Sequence, residues 1–128
     1  MLDPLAKDLA QGANFGTFTA VLPNGQLMTH VMWVDADDDH ILINTEIHRA
    51  KYRAVMADPR VTVTVIDAAN PYRYAEVRGR VTGTVGGQAA RDHIDALARK
   101  YTGSDYAHHV QSERVILQIT PERQRAKA

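Results

Sequence analysis

The sequence predicts a mainly β protein: a six-stranded antiparallel barrel with helices inserted between its strands. Three observations predict it. Short segments of alternating, β-branched residues recur along the chain. An Asn-Gly turn joins the first two of them as a hairpin. The helical stretches are inserted among the strands rather than alternating with them, unlike a parallel doubly wound sheet. At 128 residues the chain reads as one domain, 1–128, large enough to bury a core without staples.

Residues 3–11 read as a helix capped by Asp3, with Pro4 in its first turn and Gly12 at its end. Residues 14–22 alternate as a strand, with Phe15, Thr17, Thr19 and Val21 on one face and Phe18 and Ala20 on the other. Pro23-Asn24-Gly25 turns the chain into a second strand over 26–34. An acidic turn at 35–39 leads to a third strand at 40–44. A helix over 48–57 ends where Asp58-Pro59 forces an exit. Residues 60–66 are β-branched and read as a buried strand. A loop at 68–71 precedes a long strand, 72–85, in which Gly79 and Gly83 mark a bulge or a tight barrel corner. Gly86-Gly87 breaks that strand. A helix over 89–101 then sets Ile94, Leu97 and Ala98 on one face. The last strand, 114–120, is stopped by Pro121 and followed by a frayed charged tail.

Composition narrows the function classes. Cysteine is absent, which removes disulfides, thiolate metal sites and cysteine nucleophiles. Fifteen basic side chains balance fifteen acidic ones, without the basic excess of a nucleic-acid binder. The N-terminus does not read as a signal peptide, and no apolar run approaches the roughly 20 residues of a membrane helix. A cytoplasmic protein with no membrane or nucleic-acid partner is the expectation. No Gly-rich nucleotide loop is present, and Ser104 and Ser112 have loop contexts rather than that of a nucleophile elbow. Asp35, Asp37, Asp39 and Glu46 fit positions of a calcium loop, but His40 stands where that loop requires glycine, so a solvated hairpin turn is expected. His93, His108 and His109 lack zinc or iron spacing, and no metal is expected.

The most informative segment is 44–53, at a strand-to-helix junction, where Arg49, Lys51 and Arg53 crowd together. On a regular helix Lys51 points about 200° around from Arg49. The two converge only if Arg49 lies in the turn before the helix or in its first turn. Free backbone N–H groups then aim at the same spot, with the Thr45 hydroxyl nearby, which is what a phosphate monoester requires. Residue types alone favour a solvated basic helix over that site. In the second strand, alternation separates Met28, His30 and Met32 from Thr29, Val31 and Trp33. Taken singly, Trp33 reads as core and His30 as a hydrogen-bonded structural residue.

Several motifs then add up in order. They are Thr45-x3-Arg49-Ala50-Lys51, Asp58-Pro59-Arg60-Val61-Thr62-Val63, Tyr74-Ala75-Glu76-Val77-Arg78-Gly79-Arg80-Val81, Tyr101-Thr102-Gly103, Glu113-Arg114-Val115 and Thr120-Pro121-Glu122-Arg123. With them the chain resembles the pyridoxamine 5′-phosphate oxidase-like split-barrel proteins, in the branch of coenzyme F420 (deazaflavin)-dependent oxidoreductases. The resemblance runs from about residue 14 to residue 123. It implies an FMN-binding split-barrel fold and a homodimer with cofactor clefts between subunits. It implies that Thr45, Arg49 and Lys51 hold the cofactor phosphate. It implies that His30, Val31, Met32 and Trp33 lie along the deazaflavin ring. The implied activity is hydride transfer from the reduced deazaflavin to a quinone- or enone-like small molecule. FMN is the alternative cofactor, and a non-catalytic carrier or sensor the alternative role. No catalytic residue is assigned. His30 and Val31 stand where such proteins commonly carry a small hydroxyl residue and a proline.

Overall fold

Most strands bury one face, and the buried faces meet in a single core, so the sheet has to curl around it. The computed structural model describes residues 1–128. Its elements are α1 (Pro4–Gln11), β1 (Phe15–Val21), β2 (Leu27–Trp33), β3 (Asp35–Ala36), β4 (Ile41–Glu46), α2 (Ala50–Ala57), β5 (Arg60–Ile66), β6 (Tyr74–Val85), α3 (Gly87–Thr102) and β7 (Arg114–Lys127). The seven strands form one antiparallel sheet in the order β2-β1-β5-β6-β7-β4-β3. Phe18 of β1, Val63 of β5, Val77 of β6, Leu117 of β7 and Ile43 of β4 share one buried cluster, which α1 enters with Ala6, Leu9 and Ala10. Strands from both halves of the sheet reach the same core, as a split barrel requires.

Local chemistry sets the element ends as expected in several places. The Asp3 carboxylate accepts from the backbone N–H groups of Leu5 and Ala6 and caps α1. Gly25 takes the left-handed conformation, φ 85°, at the β1–β2 turn. At the other side of the molecule, α3 is tied down by its last turn. The Lys100 ammonium donates to the carbonyls of Ala10 (2.9 Å) and Val34 (2.6 Å). The Tyr101 hydroxyl donates to Asn14 O and accepts from Val34 N. No helix is long and apolar enough to cross a membrane.

The structure departs from the sequence expectation in strand number and at some ends. A seventh strand appears because the acidic segment starts by pairing: Asp35 and Ala36 lie opposite Leu42 and Ile41. The Asp37 carboxylate makes that tight turn possible by accepting from Asp39 N (2.9 Å) and His40 N (2.7 Å). The next strand runs on to Glu46 rather than stopping at Asn44, and its helix starts at Ala50 rather than at His48. The long strand begins at Tyr74, not Tyr72, and α3 spans Gly87–Thr102. The largest correction is the tail. β7 does not fray at Pro121 but continues to Lys127 along the start of β6. Pro121 faces Gly79 at a register shift, where its missing N–H does not interrupt a regular ladder. Beyond it Gln124 is held at both ends of its amide, accepting from Asp3 N (2.7 Å) and donating to Met1 O (3.1 Å).

The β6–β7 crossing depends on two glycines of different strictness. A Cβ on Gly79 collides with the Thr120 carbonyl oxygen and lies 3.2 Å from Pro121 Cα, both backbone atoms. A Cβ on Gly83 meets only the amide end of Gln118, 2.6 Å away and free to rotate. Gly79→Ala is expected to destabilise the fold by about 2–3 kcal/mol and Gly83→Ala by about 1 kcal/mol or less. Urea unfolding of the two variants measures the difference; equal losses would contradict the backbone clash.

Candidate active site

The turn between β4 and α2 brings charge to one end of a cleft. Ile47 N–H bonds to Glu113 O and Arg49 N–H to Glu46 O, which holds the chain as it leaves the sheet. Arg49 occupies the N-cap of α2 with extended backbone, φ −72° and ψ 148°, and its side chain makes no cap bond. Arg53 N–H is the first to reach back one turn, to Arg49 O. The N–H groups of Ala50, Lys51 and Tyr52 therefore lack intrahelical partners. Because Arg49 precedes the helix, its side chain and that of Lys51 line the same cleft, of about 320 Å³, together with Thr45, Asn44 and Arg114. Arg53 turns away, with its guanidinium on His48 O.

This end of the cleft carries unbalanced positive charge. Lys51 is half-buried; burial pushes its ammonium below the usual lysine range, and the charges of Arg49 and Arg114 push it further. Neither Arg49 nor Lys51 pairs with a carboxylate. Arg114 does: its side chain is 6% exposed, with Nη1 3.2 Å from Glu46 Oε1 and Nε 2.8 Å from Asn44 Oδ1. Glu46 is itself 2% exposed and also accepts from the N–H groups of Gln111 and Ser112 and from the Ser112 hydroxyl. Burial pushes the Glu46 carboxyl up, but the Ser112 N–H and the Arg114 guanidinium outweigh it and hold the group below its ordinary value. Three cations thus line this end of the cleft, and the one buried carboxylate nearby, Glu46, is engaged by Arg114. Free helix-start donors and surplus charge in a half-buried pocket fit a phosphate group, which supplies both acceptors and negative charge.

The other end is flat and aromatic. Trp33 stacks on Tyr101 with ring centroids 5.2 Å apart and planes 4° from parallel. Phe15 lies 5.4 Å from Tyr101, and Tyr106 meets Trp33 edge-on at 6.4 Å. The two hydrogen bonds of the Tyr101 hydroxyl fix this stack to the ends of β1 and β2. Phe15 (51% exposed) and Val31 (70%) form an open apolar rim.

Six of the seven site residues expected from sequence line this cleft: Thr45, Arg49, Lys51, Val31, Met32 and Trp33. His30 is not among the lining residues. It pairs with Phe18 across the hairpin, so strand alternation directs it away from Val31 and Trp33, and it is exposed. Sequence reasoning missed Arg114, Asn44, Tyr106 and His108, which also line the cleft. Arg114 left a signal, an arginine that leads directly into the apolar run Val115-Ile116-Leu117. The loop residues Tyr106 and His108 left none. Glu46, Ser112 and His48 cluster without forming a nucleophile relay. Serine hydroxyl and carboxylate both meet the same ring nitrogen, His48 Nδ1, at 2.7 and 3.1 Å.

The family model for pyridoxamine 5′-phosphate oxidase matches residues 2–128. No curated protein matches the sequence. Among solved structures, an F420 reductase is 28% identical, with 98% of each chain covered and a TM-score of 0.77. A conserved hypothetical protein from Mycobacterium tuberculosis is 21% identical over 99% of this chain and 84% of its own, with a TM-score of 0.76. General stress protein 26 from Bacillus anthracis is 16% identical over 96% and 91%, with a TM-score of 0.71. The last two share the fold.

Glu46 ties the site to acid stability. Its folded carboxyl ionises below the unfolded value of 4.5, so its contribution is complete above that pH and is lost as pH falls through the folded value. Glu46→Gln is expected to lower stability at pH 7 by about 3–5 kcal/mol, since Arg114 keeps its buried charge. The variant's stability is also expected to fall less steeply than wild type below pH 4.5. Urea titrations across pH 3–7 test both outcomes.

Proposed function

Because the chain belongs to the pyridoxamine 5′-phosphate oxidase family, we propose that it is an oxidoreductase that binds coenzyme F420 in this cleft and reduces a quinone- or enone-like small molecule. The observation that carries the reading is the pairing of Arg49 and Lys51, free of carboxylates, with the open start of α2 at one end of a cleft whose other end is aromatic. Likeness to an F420 reductase at 28% identity supports the deazaflavin branch. In this reading Arg49, Lys51, the Thr45 hydroxyl and the N–H groups at the start of α2 hold the phosphate. Trp33, kept flat by Tyr101, walls the ring end. When bound, the reduced deazaflavin supplies hydride, and solvent supplies the proton. The chain's own part is placement and electrostatics.

FMN is the second reading, because its phosphate suits the same cations. The exposed Arg49 guanidinium at the cleft's outer side, with the His108 and His109 rings beside it as hydrogen-bonding groups, favours the coenzyme with an acidic glutamate tail. We further propose a homodimer, which the resemblance implies. Phe15, Leu27 and Val31 are more than half exposed on the adjoining strands β1 and β2, an apolar face suited to a second copy.

Fluorescence titration with coenzyme F420 and with FMN tests the site. Lys51→Met, which keeps the side-chain stem, is expected to weaken either cofactor by about tenfold or more. The same variant is expected to melt a few degrees higher without ligand, since it removes a charge that only an anion compensates. Unchanged affinity for both cofactors would refute the phosphate assignment, and turnover with a panel of quinones separates a reductase from a carrier. For the assembly, light scattering should give twice the 14.2 kDa chain mass for wild type and the monomer mass for Leu27→Glu.

A further inference from the structure

Arg49 and Lys51 sit on one wall of the cationic end, and the opposite support comes from a chain of polar side chains that crosses the fold. It begins at the sheet edge. Asp35 Oδ2 of β3 lies 2.9 Å from His93 Nε2 of α3. His93 Nδ1 lies 3.0 Å from Asn44 Nδ2 of β4. Asn44 Nδ2 also donates to Ala90 O (2.9 Å), and Asn44 Oδ1 accepts from Arg114 Nε of β7 (2.8 Å).

The directions of these bonds are fixed. Arg114 can only donate, so the Asn44 carbonyl must face it and the Asn44 NH₂ must face Ala90 O and His93. His93 Nδ1 therefore accepts, which places the ring proton on Nε2, where it is donated to Asp35. Burial pushes the Asp35 carboxyl up, but the His93 bond, the Ala36 N–H and the Lys100 charge outweigh it, so the group stays an ionised acceptor. The order of dependence is Asp35, His93, Asn44, Arg114. At the end of the chain Arg114 uses Nε on Asn44 and Nη1 on Glu46. The guanidinium lies over the Tyr106 ring, 5.3 Å from its centroid, and Nη2 has no hydrogen-bond partner within the protein, although the residue is 7% exposed and lines the cleft beside Lys51. A planar fork locked on two edges presents its remaining donors in one direction, as recognition of a phosphate group requires.

We propose that Arg114 is a third anion-binding residue of the cleft and that Asp35, His93 and Asn44 are positioning residues that lock its guanidinium toward the ligand's phosphate. The proposal rests on the phosphate-site reading above and adds a residue and a mechanism to it. The network is more than a staple if its loss is felt at the anion through Arg114.

Two substitutions divide the histidine's bonds. His93→Asn keeps an acceptor near the Nδ1 position, facing Asn44. His93→Gln keeps a donor within reach of Asp35 but places no acceptor at the Nδ1 position. Dissociation constants for inorganic phosphate and for FMN are measured for both variants, for Arg114→Lys, for His93→Gln/Arg114→Lys and for Lys51→Met. His93→Gln and Arg114→Lys are each expected to weaken both ligands by about tenfold, while His93→Asn stays within about twofold of wild type. In the Arg114→Lys background His93→Gln is expected to add no further loss. Long-range ¹H–¹⁵N spectra of the wild type are expected to show His93 protonated on Nε2. A purely structural network would show equal effects of His93→Gln in both backgrounds, or melting losses without a change in phosphate affinity; either result overturns the proposal, as does an Nδ1-protonated His93. Binding lost in Lys51→Met but retained in His93→Gln and Arg114→Lys overturns it and leaves the phosphate site standing. The reverse pattern keeps Arg114 and removes Lys51 from the site.

Discussion

The buried pair of Arg114 and Glu46 is the constraint on which the rest of the site depends. Glu46 is the last residue of β4 and Arg114 the first of β7, and the two lie directly opposite in the ladder. Both side chains are more than nine-tenths buried, so each charge depends on partners within the protein. Glu46 finds them by gathering the backbone of Gln111 and Ser112, which anchors the loop that carries Tyr106 and His108 over the cleft. Its own carbonyl receives Arg49 N–H, which starts the turn into α2. Glu46 therefore fixes the loop above the cleft through its carboxylate and the helix start beside it through its backbone carbonyl. It also leaves the Arg49 and Lys51 charges without a carboxylate, because the nearby one is already committed.

Much of the fold was legible because its signals are local. The Asp3 cap, the Asn24-Gly25 turn and the β-branched run from Arg60 to Ile66 each act within a few residues, and each stands where the sequence puts it. What escaped was set by distant partners. Pro121 reads as a stop, yet it lies against Gly79 at a bulge while Gln124 docks on the N-terminus, so the strand runs on. The two-residue strand at Asp35 exists because Asp37 closes its turn and β4 offers an edge. No period in the sequence encodes either event.

The site divides the same way. Helix geometry gave only the condition for Arg49 and Lys51 to converge, that Arg49 stand in the turn before the helix or in its first turn, and the structure meets it by placing Arg49 at the N-cap of α2. His30 was grouped with Val31, Met32 and Trp33 by the resemblance, but strand alternation, visible in the sequence, turns it away from Val31 and Trp33. Arg114 is some 65 residues from Arg49 in sequence, and only the β4–β7 register brings it to the cleft. An arginine at the head of an apolar strand is the kind of signal that sequence reading can use, since burying such a charge demands a partner.

The electrostatics of the cleft also explain why its cations resist a purely structural reading. A solvated basic helix keeps its lysines exposed and at their ordinary ionisation. Here Lys51 is half-buried, its ammonium is disfavoured by burial and by two neighbouring guanidinium groups, and it faces a cleft instead of a carboxylate. Arg53, two residues on, behaves as the solvated reading expects: it is exposed and caps a local carbonyl. The contrast within one turn of helix separates the two roles. Positions such as Lys51 carry a standing electrostatic penalty in the empty fold that an anion relieves, so stability and ligand binding pull in opposite directions at that side chain.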